Sequence, residues 1–474
     1  MNLSGPVAGQ PSLLSSFFDL AGLGYLAEEY FLSGDAVSYE ADGPTGDDGR
    51  WQARQSASAP FTTRLVVYRP ADPAAFCGSV VVEWLNVSAG ADTPAGWATY
   101  HRHLLRAGFA WIGVSAQRAG IEGGGIFAER AARDGDWFSL PPLKQADPAR
   151  YAVLAHPGDA FSYDIFTQAG ALARRPAGTG VLGPLTADRV LAAGQSQSAA
   201  FLVTYLNAVA PVAGGYDGYL IHGRPGRPAG LSRWDVASPA APSLPPLAGG
   251  VRVRTDGPAP VIILQTETDV FGALASLGSR QPDDERLRLW EIAGAAHADT
   301  YTVSAAFTDS GQLPPAELAA LLAPRNDLFG PAWAAPINSG PQQHYVAQAA
   351  VAALDRWVSD GTPPPVAARL DTGEAGGPHL DALGIATGGV RSPWVDVPAA
   401  VLSGLGQEAS PGPAFLFGST CPLPAGALRR LYPAGAADYT PAFRAAAERM
   451  AGAGFLLAGD LDEAVAVASA SFPE

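Results

Sequence analysis

The sequence predicts an α/β architecture, a mostly parallel central sheet with helices on both faces. Three observations carry this. Short apolar runs at 61–68, 80–85, 109–115, 188–194, 216–221, 259–264 and 287–292 read as strands, and they are largely apolar at successive rather than alternate positions. That is the pattern of strands covered on both faces, as in a parallel sheet. Helical patterns fall between them, around 97–106, 164–172 and 199–209, as the crossovers of such a sheet require. Finally, 47% of the 474 residues are hydrophobic and only 16% are charged. That is ample apolar surface for a large core and excludes wholesale disorder.

The elements follow in order. The run 61–68 ends at Arg69-Pro70, and Val80-Val81-Val82-Glu83-Trp84-Leu85 is a β-branched run of buried type. After the helix at 97–106 comes the strand at 109–115. The strand at 188–194 enters a turn, and the helix at 199–209 leaves it. Residues 345–360 form an amphipathic helix that stops at Gly361-Thr362-Pro363-Pro364-Pro365. Residues 371–378 read as a Gly-rich linker, and a helix near 441–452 closes a last hundred residues of weaker pattern. The expected organisation is a catalytic domain over 1–370, with an irregular Pro-, Gly-, Ser- and Ala-rich lid insertion at 223–258. A C-terminal extension over 371–474 is expected to pack on the core.

Composition narrows the function. The net charge of −15 repels phosphate backbones and anionic membranes, so no nucleic-acid partner is expected. No apolar stretch approaches the length of a membrane span. The first ten residues carry no basic side chain, so no signal peptide is read there and a cytoplasmic location is expected. The two cysteines, Cys77 and Cys421, form no CxxC pair, which argues against thiolate zinc sites and dithiol redox chemistry. Whether they pair with each other is not legible. No HExxH, EF-hand or dense His/Asp cluster occurs, so neither metal nor cofactor is expected. Gly123-Gly124-Gly125 lacks the Lys-Ser/Thr of a phosphate loop.

In a parallel sheet, ligands bind beyond the carboxyl ends of the strands. Gly194-Gln195-Ser196-Gln197-Ser198 stands at such an end, between a strand and a helix. A serine on a tight strand–turn–helix is the nucleophile elbow, usually G-x-S-x-G; here Ser198 replaces the last glycine. A serine hydroxyl needs a base, and on this architecture the chain order is Ser, acid, His. Of the histidines after Ser196, only His297 lies in a small-residue loop just past a strand and after a candidate acid. His344, where a helix starts, is the weaker alternative, and His101, His103, His222 and His379 read as structural. The acid is Asp269 or Glu267, in Thr266-Glu267-Thr268-Asp269 after the preceding strand. Oxyanion donors are expected from the Gln197 N–H and from the loop Asn86-Val87-Ser88, where Asn86 and Ser88 are the candidates. Trp137, Phe138 and Phe271 are candidates to line an apolar substrate pocket. His156-Pro157-Gly158-Asp159 reads as a turn with Asp159 capping the next helix.

These segments resemble the α/β-hydrolase superfamily, and within it the bacterial and fungal proteins grouped as "alpha/beta hydrolase domain". The resemblance rests on Val82-Glu83-Trp84-Leu85-Asn86-Val87-Ser88 and the stretch from His156 to Phe166. It continues through Gly194 to Ser198, Gln265 to Asp269, Ala293 to Asp299, Gly388-Gly389-Val390-Arg391 and Phe417-Gly418-Ser419-Thr420. It implies an α/β-hydrolase core, a serine nucleophile and acyl-transfer chemistry on a small-molecule substrate, with the last hundred residues belonging to the core. The expectation is a cofactor-independent esterase acting through an acyl-enzyme. The alternatives are an amidase, lactonase or thioesterase with the same residues, or a non-catalytic binding protein on this fold. Substrate identity and oligomeric state are not predicted.

Overall fold

The computed structural model describes residues 1–124, 139–231, 250–328, 332–410 and 412–473. Among them, one sheet of nine strands runs through the molecule. The strands are β1 (Asn2–Ser4), β2 (Tyr25–Ala41), β3 (Ala53–Pro70), β4 (Ser79–Trp84), β5 (Ala110–Val114), β6 (Arg189–Gln195), β7 (Gly218–His222), β8 (Val261–Thr266) and β9 (Leu287–Ile292). Their order is β1-β2-β3-β5-β4-β6-β7-β8-β9. From β5 to β9 all neighbours are parallel, whereas β1, β2 and β3 add an antiparallel edge.

All seven expected strands form. The sequence reading missed β2 and the first half of β3. The reason is polar: Glu28 and Glu29 interrupt the apolar run of β2 and mask its strand character. Glu29 is buried with its carboxylate met by Tyr151 Oη at 2.9 Å and Arg150 Nε at 2.6 Å, partners 122 and 121 residues away, and by Arg64 Nη1 at 3.7 Å.

Side chains of the inner strands alternate between two apolar layers. Val80, Val82 and Trp84 of β4 and Val261 and Ile263 of β8 pack with α2 (Ser162–Ala173) and α3 (Gln197–Thr204). Val81, Ile262 and Leu264 face the opposite way, onto α1 (Ala95–Ala107) and α5 (Gln342–Asp360). The same second layer receives Tyr439, Phe443 and Met450 of α6 (Ala436–Gly452) and Ala464, Val465 and Ala468 of α7 (Leu461–Ser471). The last helix was not anticipated; its alanine-rich buried stripe is weakly hydrophobic and becomes apparent only where it meets its partner.

Residues 371–378 are a narrow turn rather than an extended linker. Thr372 bridges Pro378, and Leu370 bridges Gly388. The hairpin of β10 (Ala400–Ser403) and β11 (Ser419–Pro422) follows. The described parts of 223–258 contain no helix or strand of their own beyond this span's lead-in from β7, and its middle lies outside the described residues. Cys77 and Cys421 are both free. No described helix is long and apolar enough to cross a membrane.

The chain passes from β4 out to β5 and then back across β4 to β6. Strand order therefore reverses between β4 and β6, and their carboxyl ends are the switch point where ligands bind in sheets of this kind.

Candidate active site

Ser196 stands at that switch point, between β6 and α3. Its backbone is at φ +64°, ψ −122°, one of two non-glycine residues with positive φ among those described. Such a conformation costs on the order of 1–3 kcal/mol and persists only where the surroundings impose it. The imposition is visible. Ser196 N–H donates to His222 O at 2.9 Å, and Asn86 Nδ2 donates to Gln195 O at 3.1 Å. Gly194 explains how the strand and helix approach so closely. A Cβ there would lie 2.9 Å from Leu202 Cδ1 and 3.1 Å from the Ser198 backbone. Ser198 itself fits where the usual pattern has glycine, although its buried hydroxyl finds no hydrogen-bond partner among the described residues.

His297 follows β9 in the loop Ala293-Gly294-Ala295-Ala296. Its Nε2 is 2.8 Å from Ser196 Oγ, and its Nδ1 is 2.6 Å from Asp269 Oδ1. A carboxylate only accepts, so Nδ1 carries the proton and Nε2 is left to accept from the serine hydroxyl. Gly223, at φ +59°, passes beside this pair; a Cβ there would lie 3.1 Å from both Cε1 and Nδ1 of His297.

The alternatives for the acid separate on the short helix α4 (Glu267–Phe271). Thr266 and Asp269 form a capping box at its start, with Thr266 N–H donating to Asp269 Oδ2 at 2.7 Å. This holds one carboxylate oxygen and presents the other to His297. Glu267 lies two residues earlier, about 200° around the helix axis. Its carboxylate turns away from the imidazole and accepts from Gly294 N–H, from Gly404 N–H at 2.8 Å and from Ser403 Oγ at 3.2 Å. Burial pushes its pKa up to about 7, against the opposing pull of these donors.

The expected oxyanion residues lie close by. Gln197 opens α3, so its N–H has no acceptor within the helix. In the β4 loop, Asn86 N–H donates to Thr93 O at 3.0 Å, and Ser88 N–H donates to Asn86 Oδ1 at 2.8 Å. Ser88 N–H is thus engaged. Val87 N–H has no backbone or side-chain acceptor among the described residues, and Asn86 Nδ2 retains its second hydrogen.

Other candidates fall elsewhere. Phe271 packs against a small cluster that includes Val270 and Ala293, with the Arg280 guanidinium 5.8 Å from its ring centroid. Trp137 and Phe138 lie outside the described residues. His344 is buried against α1, 2.7 Å from Thr99 O and stacked on Tyr301. His222 is buried beneath the site, and desolvation lowers its pKa to about 4, so it is neutral at physiological pH. Asp159 does not cap the following helix; its Oδ1 accepts from Arg118 N–H at 2.9 Å. No group of three or more His, Cys, Asp or Glu suited to hold a metal occurs among the described residues.

Several supporting residues escaped the sequence reading. Gln117, beyond the carboxyl end of β5, accepts on Oε1 from Trp84 Nε1 at 3.1 Å and from Gln197 Nε2 at 2.9 Å. Trp84 can only donate, which fixes the orientation of the Gln117 amide and hence that of Gln197. Looking past every strand end would have reached Gln117. Gln343, on α5, donates to the carbonyls of Ala296 and His297 at 3.1 and 3.2 Å; nothing local in the sequence marks it.

No curated protein matches the chain. Among solved structures, it is similar to a fungal esterase from Rhizomucor miehei, at 13% identity and a TM-score of 0.27, covering 57% of this chain and 77% of that one. It is also similar to a thermostable esterase from Pseudomonas putida, at 13% identity and a TM-score of 0.27, covering 58% and 75%. A lidless α/β serine hydrolase from Xanthomonas campestris is similar at 14% identity and a TM-score of 0.26, covering 55% and 83%. The sequence profile described as "Alpha/beta hydrolase domain" matches residues 3–466. That match takes in the β6 turn, the β8–α4 junction, the His297 loop and the C-terminal hairpin together, and the chain therefore belongs to the alpha/beta hydrolase domain family.

Proposed function

We propose that the protein is a serine hydrolase that cleaves carboxylic esters through an acyl-enzyme. The observation that carries this reading is the continuous line Asp269–His297–Ser196, with separations of 2.6 and 2.8 Å, ending on a serine held at positive φ. Ser196 Oγ attacks the ester carbonyl as His297 Nε2 takes its proton, and Asp269 stabilises the resulting imidazolium. The tetrahedral oxyanion is held by Gln197 N–H and by a free donor of the β4 loop, either Val87 N–H or the second Asn86 amide hydrogen. His297 then protonates the leaving alcohol. A water activated by the same imidazole attacks the acyl-enzyme, and Ser196 is regenerated as the acid leaves. On this reading 371–474 belongs to the same catalytic unit as 1–370.

The test is covalent. A fluorophosphonate probe labels the wild type and does not label Ser196→Ala, which also loses roughly 10⁴-fold or more in kcat on p-nitrophenyl esters. Labelling or turnover that survives the substitution overturns the assignment. Anilide, lactone and thioester substrates assayed beside the esters establish which leaving group the site accepts.

A further inference from the structure

The described C-terminal hairpin reaches the acid and base loops directly. Gly404, just past β10, is wedged between them; a Cβ there would lie 2.5 Å from Ala295 O, from Glu267 Cβ and from Thr268 N. Only a residue without a side chain lets these three segments meet.

The contacts made at this wedge are polar and directional. Gly404 N–H donates to Glu267 Oε2 at 2.8 Å, and the other carboxylate oxygen accepts from Gly294 N–H. Thr268 Oγ1 donates to Gly404 O at 2.5 Å and accepts from His297 N–H at 3.1 Å. Glu267 N–H donates to Ala295 O at 3.1 Å. Two adjacent side chains thus tie the hairpin to both ends of the loop that carries His297. The very next residue is Asp269, whose oxygen must meet the imidazole.

We propose that Glu267 and Thr268 are positioning residues that key the His297–Asp269 pair to the C-terminal hairpin through Gly404, so that the extension completes the active site. This rests on the reading of Ser196, His297 and Asp269 given above. Glu267 acts through the backbone of Gly294, and Thr268 through the backbone of His297; neither touches substrate. Without these ties the fold persists, but the imidazole no longer sits squarely on Asp269. The serine then loses an aligned base.

The experiment uses the full chain with Glu267→Gln, Thr268→Val and Thr268→Ser. Glutamine keeps the shape of Glu267 but turns an N–H toward Gly294 N–H or Gly404 N–H. Valine keeps the β-branch of Thr268 and removes its hydroxyl, and serine restores it. The expected result for Glu267→Gln and Thr268→Val is a fall in kcat of roughly 10- to 100-fold, the scale of sub-ångström to ångström misplacement. KM stays within about twofold, so the loss falls on kcat alone. Thr268→Ser returns kcat toward wild type. Folded variants with unchanged kcat overturn the proposal, as does a loss that falls on KM and leaves kcat intact. So does a Thr268→Val defect that serine fails to rescue, which marks a packing effect. If Glu267→Gln does not fold, the threonine pair decides by the same criteria. Probe labelling of wild type and Ser196→Ala, run alongside, separates the two failures: loss of the labelling difference removes the underlying reading, whereas an intact difference with silent variants removes only this inference.

Discussion

The two halves of the candidate site are built on different principles. The serine half is local. Gly194, Ser196 and Gln197 lie within one strand–turn–helix, so the reacting serine and its neighbours are joined by covalent bonds, while Asn86, Gln117 and His222 brace the flanks. The acid–base half is assembled from afar. His297 and Asp269 are 28 residues apart, and the groups that hold their loops come from α5 and from the C-terminal hairpin, up to 137 residues away. In the turn, covalent connection keeps the residues together and the braces over-determine the strained backbone. A loop held by remote hydrogen bonds has only as much order as those bonds supply, so its weak points lie far from the chemistry.

Perturbing each half sharpens this contrast. The largest expected effect is from Asp269→Asn, which leaves the shape of the site but favours the wrong imidazole tautomer. It should lower kcat by roughly 10³–10⁴-fold with little change in KM, measured by steady-state kinetics on an ester. Next is Gly223→Ala. The new Cβ must occupy left-handed backbone space beside His297, so stability should fall by about 1–2 kcal/mol in urea unfolding, and kcat should fall by about tenfold as the ring shifts.

A titration tests both halves at once. Burial raises Glu83, beside the serine half, and Glu267 and Asp299, in the acid–base half, to about 7. A carboxyl whose folded pKa exceeds its unfolded value near 4 stabilises fully below the unfolded pKa. That contribution is lost as pH rises through about 7. The unfolding temperature should therefore fall from about pH 4.5 to pH 7, and Glu83→Gln should flatten the slope by the share of one proton. A flat profile in the wild type refutes the buried, raised carboxyls. The smallest effect belongs to Ser198→Ala. It removes a buried hydroxyl without a partner, so stability should hold or rise by about 1 kcal/mol, with activity within about threefold. A large loss there would show that the elbow is less self-sufficient than its geometry suggests.

The sequence by itself determined the parallel strands and the strand-end positions of the candidate serine and histidine. The strand pattern follows from burial on both faces. Ser196 and His297 were singled out by chain order and by their places at strand ends, and their side chains lie 2.8 Å apart. Tertiary structure alone decided the rest. Asp269 and Glu267 are equivalent in a string of letters, and they part only because a helix turn points them in opposite directions and a capping box grips one of them. β2 was obscured by charges that only remote arginine and tyrosine partners make tolerable. Gly404 has no local signature, since what requires a glycine there is the approach of two loops more than a hundred residues earlier in the chain. Local pattern records what a residue's neighbours along the chain demand; contacts between distant segments are created by folding, and their demands are written nowhere near the residues that meet them.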